Sequence, residues 1–131
     1  MSGRRKTVRI SEAEWRIMNV LWDHCSEESD GLALGEIVKI ITEETDWTNT
    51  TIRTLIIRLA DKGVVSIDRR CGVYRYKPAV PKSDCIQEEI DSFVARVFNN
   101  SPYQLMASLV KEGNFSERER REIIDILNNI H

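Results

Sequence analysis

Histidine and cysteine are scarce in this sequence. It has only two histidines, His24 and His131, and three cysteines, Cys25, Cys71 and Cys85, far apart and without a Cys-x-x-Cys pair. A zinc site or disulfide framework needs clustered ligands, so neither is expected, and no cofactor is implied. Three reduced cytosolic thiols are the simpler reading; a thiol switch is the alternative. Catalysis needs an acid, base or nucleophile converging on a pocket, and without such a motif no enzyme is expected. No apolar run approaches the roughly 20 residues that span a bilayer, and the basic start, Arg4-Arg5-Lys6, leads into no apolar stretch. The expectation is a soluble, unexported, cytoplasmic chain without membrane insertion. Internal repeats and low-complexity segments are also lacking.

What is present is an uneven distribution of charge. The total is only -2 over 131 residues. From Trp47 to Lys82, however, eight basic residues face two acids, a net +6, whereas from Ser83 onward five basic residues face nine acids, a net -4. Such asymmetry suggests a nucleic-acid surface on one part and a different task for the other. A merely solvated basic face is the alternative.

Hydrophobic periodicity divides the chain further. Ser11-Glu12-Ala13-Glu14 is a capping box, with Ile10 and Trp15 as its hydrophobic staple, and Trp15, Met18, Leu21 and Trp22 follow at helical spacing. A first helix is predicted from Glu12 to about Cys25. Ser26 to Gly31 reads as a loop, and Leu34, Ile37, Val38 and Ile41 mark a short second helix. The third is predicted to be capped by Thr48, to bury Ile52, Leu55, Ile56 and Leu59, and to stop at Gly63. The period then switches to two: Val64 to Ile67 and Val73 to Tyr76 read as strands of a hairpin with the basic tip Asp68-Arg69-Arg70-Cys71-Gly72.

Pro78 and Pro81 place a boundary, giving residues 1–80 and 81–131 as the two parts. In the second, Ile86, Ile90, Phe93, Val94, Val97 and Phe98 describe a long amphipathic helix ended by Asn99 to Pro102. A short helix through Leu105, Met106, Leu109 and Val110 stops at Gly113. The last opens with a second capping box, Ser116 to Glu119, and carries Ile123, Ile124, Leu127 and Ile130.

Three helices and a hairpin in this order form the winged helix-turn-helix plan, whose third helix enters the major groove. With its apolar face inward, that helix turns Thr50, Thr54, Ile57 and Asp61 outward, flanked by Arg53 and Arg58. Hydroxyls bond base edges or phosphates, threonine methyls touch thymine, and Arg53 suits a guanine edge or a phosphate. The amides near Thr48 and Asn49 favour a phosphate, and Thr51 joins them among the expected DNA-binding residues. Ordinary exposed helix surface is the alternative, but threonines are poor helix formers. Arg69 and Arg70 are placed for phosphates or the minor groove, or form a solvated basic turn. Arg4, Arg5 and Lys6 are a flexible arm on DNA or simply a basic terminus.

Three stretches carry a resemblance: Ile10 to Trp22 (ISEAEWRIMNVLW), Trp47 to Gly63 (WTNTTIRTLIIRLADKG), and Tyr74-Arg75-Tyr76 with Pro78 and Val80. With the tail from Asp84 to Ile130, these make the chain similar to the penicillinase repressor (BlaI/MecI/CopY) family of bacterial regulators. The resemblance implies a mainly α fold with a small β-hairpin, a winged helix-turn-helix unit joined to a three-helix dimerisation region. It implies a homodimeric repressor on a palindromic DNA operator, controlling a resistance or stress-response operon. The apolar stripe Ile86, Ile90, Phe93, Val94, Val97 and Phe98, with Leu105, Leu109, Ile123 and Leu127, is the expected dimer surface.

The chain departs from the family in three places. Asn49 and Thr50 stand where well-known relatives have proline and lysine, so a different operator sequence is expected. Relatives that answer β-lactams are cut at an Asn-Phe bond through a membrane sensor protease system; the matching bond here is Ser108–Leu109. Copper-responsive members end in a cysteine-rich metal motif, whereas this chain ends Asn128-Asn129-Ile130-His131. A winged helix serving only protein contacts is the rival reading.

Overall fold

The computed structural model describes residues 9–26, 28–70 and 72–130. Arg4, Arg5, Lys6, Cys71 and His131 lie outside them. The elements run α1 (Glu12–His24), β1 (Leu32–Ala33), α2 (Leu34–Thr42), α3 (Asn49–Asp61), β2 (Val65–Asp68), β3 (Arg75–Pro78), α4 (Lys82–Val97), α5 (Pro102–Glu112) and α6 (Glu117–Asn128).

The capping box of α1 forms as predicted. The Glu14 amide donates to Ser11 Oγ over 3.2 Å and the Ser11 amide to Glu14 Oε1 over 2.8 Å, satisfying two amides that a helix start leaves open. The buried stripe is Glu14, Ile17, Met18 and Leu21, one notch round from the predicted one. Trp15 and Trp22 lie beside it, half-buried, with ring centroids 5.7 Å apart. Tryptophan's N–H favours the edge of a core, and Trp22 Nε1 donates to the Val80 carbonyl over 3.2 Å. From α2 the stripe meets Ile37 and Ile41, and from α3 Ile52, Leu55, Ile56 and Leu59; together these make the first unit's core.

α3 is capped by Thr48 and closed at Gly63, whose φ is +86°. Gly63 donates to the Ala60 carbonyl and Val64 to that of Leu59, the paired return bonds of a Schellman turn that needs a left-handed residue at this point.

The sheet has order β1-β3-β2. Two strands are predicted from the sequence and a third is found. β1 pairs Leu32 with Tyr76 and Ala33 with Arg75; two residues are too few to show a period of two. Its approach depends on Gly31, at φ +103°, where an added Cβ would lie 2.6 Å from the Tyr76 carbonyl oxygen. Gly31→Ala should therefore destabilise the unit by about 2 kcal/mol, from a left-handed conformation and a backbone clash. Chemical denaturation would check this, and a loss below about 0.5 kcal/mol would refute it. The hairpin strands are shifted toward the C-terminus of the predicted ones, leaving Val73 and Tyr74 exposed.

The chain divides into two compact units, one ending at Glu89 and the other starting at Ile90. The division falls inside α4 and not at the prolines, because the first turns of α4 bury Cys85 and bring Glu89 to Trp15 Nε1, 3.4 Å away. In the second unit α4 ends on two successive left-handed residues, Asn99 and Asn100, a conformation asparagine tolerates. α5 opens on Ser101 with Pro102 and closes on left-handed Gly113, and α6 has its capping box at Ser116 and Glu119. Among the described residues of this unit only Val94 is buried. No helix among the described residues is long and apolar enough to cross a membrane.

Candidate nucleic-acid interface

The exposed side of α3 is assembled by its buried side. With Ile52, Leu55, Ile56 and Leu59 inward, Asn49, Thr50, Arg53, Thr54, Ile57 and Arg58 are all exposed. Thr50, Arg53, Thr54 and Ile57 form one face at i, i+3, i+4 and i+7. Thr48 and Thr51 are partly committed to the helix start: Thr48 Oγ1 accepts from the Thr51 amide and donates to Thr51 Oγ1, both at 3.1 Å. Among the described residues neither Arg53 nor Arg58 has an ion-pair partner, so both guanidiniums are available to an anion.

The far end of α3 is pinned. Lys62 Nζ donates to Glu14 Oε1 and to the Arg9 carbonyl, each at 2.6 Å, and Glu14 is only 2% exposed. Burial alone would push the Glu14 carboxyl up. The Lys62 hydrogen bond, the Ser11 amide and the Lys62 charge outweigh it, so the group sits below its ordinary value of 4.5. The contact joins the N-terminus of α1 to the C-terminus of α3, and sequence periodicity could not show it. The only sequence signal is a carboxylate, Glu14, at a position whose helical neighbours are apolar.

The wing presents fewer cations than its sequence suggests. Arg70 is forked onto Asp68, Nε to Oδ1 at 2.9 Å and Nη2 to Oδ2 at 2.7 Å, and the fork holds the Asp68 carboxyl well below the usual carboxylate range. Arg75 Nη1 donates to the Gly31 carbonyl at 3.3 Å and lies 3.8 Å from Glu36 Oε1. Lys77 Nζ donates to the Ser29 carbonyl. Arg69 stacks over Tyr74, 5.1 Å from the ring centroid, a contact that leaves the in-plane N–H groups free to donate. Tyr74 thus belongs to the wing surface, although its residue type reads as a strand.

In the tail, Ile86, Ile90, Phe93, Val97, Leu109 and Leu127 are exposed, as are Tyr103, Met106, Val110, Ile124, Ile126 and Ile130. Phe98, Leu105 and Ile123 are half-buried, and Phe98 meets the edge of Phe93 at 5.8 Å. Val94, expected at the seam, is 5% exposed and already covered within the chain. Ser108 and Leu109 are exposed within α5. A protease there must first open the helix.

Neither of the two described thiols, Cys25 and Cys85, is exposed. Burial pushes the Cys25 thiol up, with Lys77 and Glu36 opposing each other nearby, which depletes the nucleophilic thiolate. Cys85 is buried. Among the described residues no group of His, Cys, Asp and Glu is placed to hold a metal ion.

Comparison with known proteins agrees with this architecture. Residues 10–129 match the family model described as penicillinase repressor. The penicillinase repressor of Bacillus licheniformis is 28% identical over 123 residues, 94% of this chain and 92% of that protein. The methicillin resistance regulatory protein MecI of Staphylococcus aureus is 31% identical over 94% of this chain and 96% of its own length. Among solved structures, the DNA-binding domain of the repressor BlaI superposes with a TM-score of 0.51 at 30% identity, covering 62% of this chain and 93% of that one. The monomeric form of Bacillus licheniformis BlaI in complex with the blaP half-operator gives 0.50 at 32% identity, covering 60% and 90%. The matched span takes in both the winged unit and the helical tail, and the chain belongs to the penicillinase repressor family, a family of winged-helix transcription regulators.

Proposed function

We propose that this chain is a cytoplasmic transcriptional repressor that binds a palindromic operator as a homodimer and so blocks a resistance or stress-response operon. The observation that carries this reading is the exposed face of α3, where Asn49, Thr50, Arg53 and Thr54 stand on a helix whose other side is fully buried. BlaI, 32% identical, is known bound to its half-operator, which supports the same task here. Arg53 is assigned to a guanine edge, Asn49 to an adenine edge, and Thr50 and Thr54 to base edges and thymine methyls. Thr48, Thr51, Arg58 and Arg69 are assigned to phosphates.

The tail supports dimerisation: it exposes apolar residues on all three helices and, from Ile90 onward, buries only Val94 among its described residues. Ile86, Ile90, Phe93, Val97, Leu109 and Leu127 supply the seam, with Phe98, Leu105 and Ile123 at its margin. Two winged units so joined reach half-sites one helical turn or more apart, doubling a small interface.

Site selection from random duplex DNA, followed by salt titration of the selected site by fluorescence anisotropy, tests the reading. A two-fold palindrome whose affinity falls steeply with salt is expected. Arg53→Ala should weaken that site by roughly 5- to 150-fold while changing scrambled DNA far less. Equal losses on both would remove Arg53 from base readout. No enrichment and no salt-sensitive binding would leave a protein-interaction module as the account of the fold.

A further inference from the structure

We propose that Asp68 sets the wing's hold on phosphate by occupying Arg70, and thereby limits the protein's affinity for duplex DNA of any sequence. The inference rests on the DNA-binding reading above. The edge of a guanidinium that offers two parallel N–H groups fits a carboxylate and a phosphate alike, and on Arg70 the Nε and Nη2 edge is taken by both Asp68 oxygens. Asp30 Oδ1 lies 3.9 Å from the same Nη2.

Asp68 is the better-fixed partner. It ends β2, opposite Arg75 in the register, its side chain is 21% exposed against 78% for Arg70, and its Oδ1 also accepts from the Arg70 amide at 3.0 Å. A phosphate that took Arg70 would have to displace this carboxylate and would leave it, still ionised, beside the backbone charge. Arg69, one residue earlier, rests on the Tyr74 ring and has no carboxylate partner among the described residues. The tip of the wing therefore offers one cation, Arg69, where its sequence carries two. Phosphate contacts strengthen binding to every sequence alike, so withholding one weakens the hold on operator and scrambled DNA together and lowers the salt dependence of both.

The test is a cycle of four full-length proteins: wild type, Asp68→Asn, Arg70→Ala and the double variant. Asparagine keeps an oxygen for the Arg70 amide and so keeps the turn. Each is titrated onto the selected operator and onto a scrambled duplex at several salt concentrations. Removing the Asp68 charge strengthens binding through the general field in either background, so the comparison lies in what Arg70→Ala costs. In wild type it should cost less than about 2-fold on scrambled DNA; in Asp68→Asn it should cost about 5-fold or more. The salt slope of Asp68→Asn should steepen by about 0.9, one further phosphate. Equal costs of Arg70→Ala in the two backgrounds would overturn the proposal, while salt-sensitive binding itself upheld the DNA reading. Absence of such binding in all four would sink both. Should Asp68→Asn unfold at a lower temperature than wild type, Asp68→Ser replaces it in the same cycle, its hydroxyl again able to accept from the amide.

Discussion

Val97→Asp is expected to yield a folded chain that sediments as a monomer and binds the selected operator at least about 100-fold more weakly than wild type. Val97 is 52% exposed on α4, so a carboxylate there keeps its water within the isolated chain and the helix is little disturbed. In a dimer seam the same charge would be buried without a partner. Once the two winged units are separate, the second half-site no longer acts intramolecularly, and the gain from linkage, roughly 10² to 10⁴ in favourable geometries, is lost. Sedimentation equilibrium and anisotropy on whole and half operators give the two readouts. The half-site affinity should barely change. A Val97→Asp protein that remains dimeric would move the interface to another face of the tail, with α6 and its exposed Ile124 and Ile126 the next to be changed.

The second large effect is expected at the pin behind α3. Lys62→Met leaves Glu14 buried without its counter-charge and should cost about 3 kcal/mol. That is the low end of what breaking a buried pair costs, because water reaches Lys62, whose side chain is 34% exposed. Glu14→Gln added to Lys62→Met should recover part of the loss. The pH dependence has a definite sign. In wild type the native carboxyl lies below its ordinary 4.5, so the pair's contribution is complete above that value and is lost as pH falls through the native one. In Lys62→Met burial acts with no lysine opposing it, and acidification relieves the strain. The stability gap between the two proteins should therefore be widest near pH 7 and narrow below about pH 5. A gap under about 1 kcal/mol at pH 7 would mean that the pair is an ordinary surface bridge.

Much of the winged unit is legible in the order of its residues, because the rules that shape it are local. The capping box at Ser11, the Thr48 cap, the apolar rows of α2 and α3 and the glycine turn at Gly63 each depend on residues within a few positions of one another. The exposed row Thr50, Arg53, Thr54 and Ile57 follows from the same arithmetic. What escapes is non-local. β1 is two residues long and exists only because β3 passes beside it. Glu14 finds Lys62 forty-eight positions away. The basic count from Trp47 to Lys82 is correct as arithmetic, but it cannot tell a cation facing solvent from one held by Asp68, Glu36 or Glu14. The tail shows the complementary limit: its apolar stripe is plain in the sequence, yet a helical wheel does not reveal that Val94 is covered within the chain while Val97 is open.

The short strand β1 also ties the wing to α2. It runs into α2 without an intervening residue, Ala33 ending one and Leu34 beginning the other, and it is bonded to β3 of the wing. Wing and helices are thus bonded into one template, and the fold sets the span between α3 and the hairpin. On the proposed mode of binding, a duplex of unsuitable groove width must itself bend or twist to fit, at an energy set by its base steps. Selectivity would then extend to positions that no side chain touches, and flexible pyrimidine–purine steps between the half-sites would be favoured for their mechanics alone.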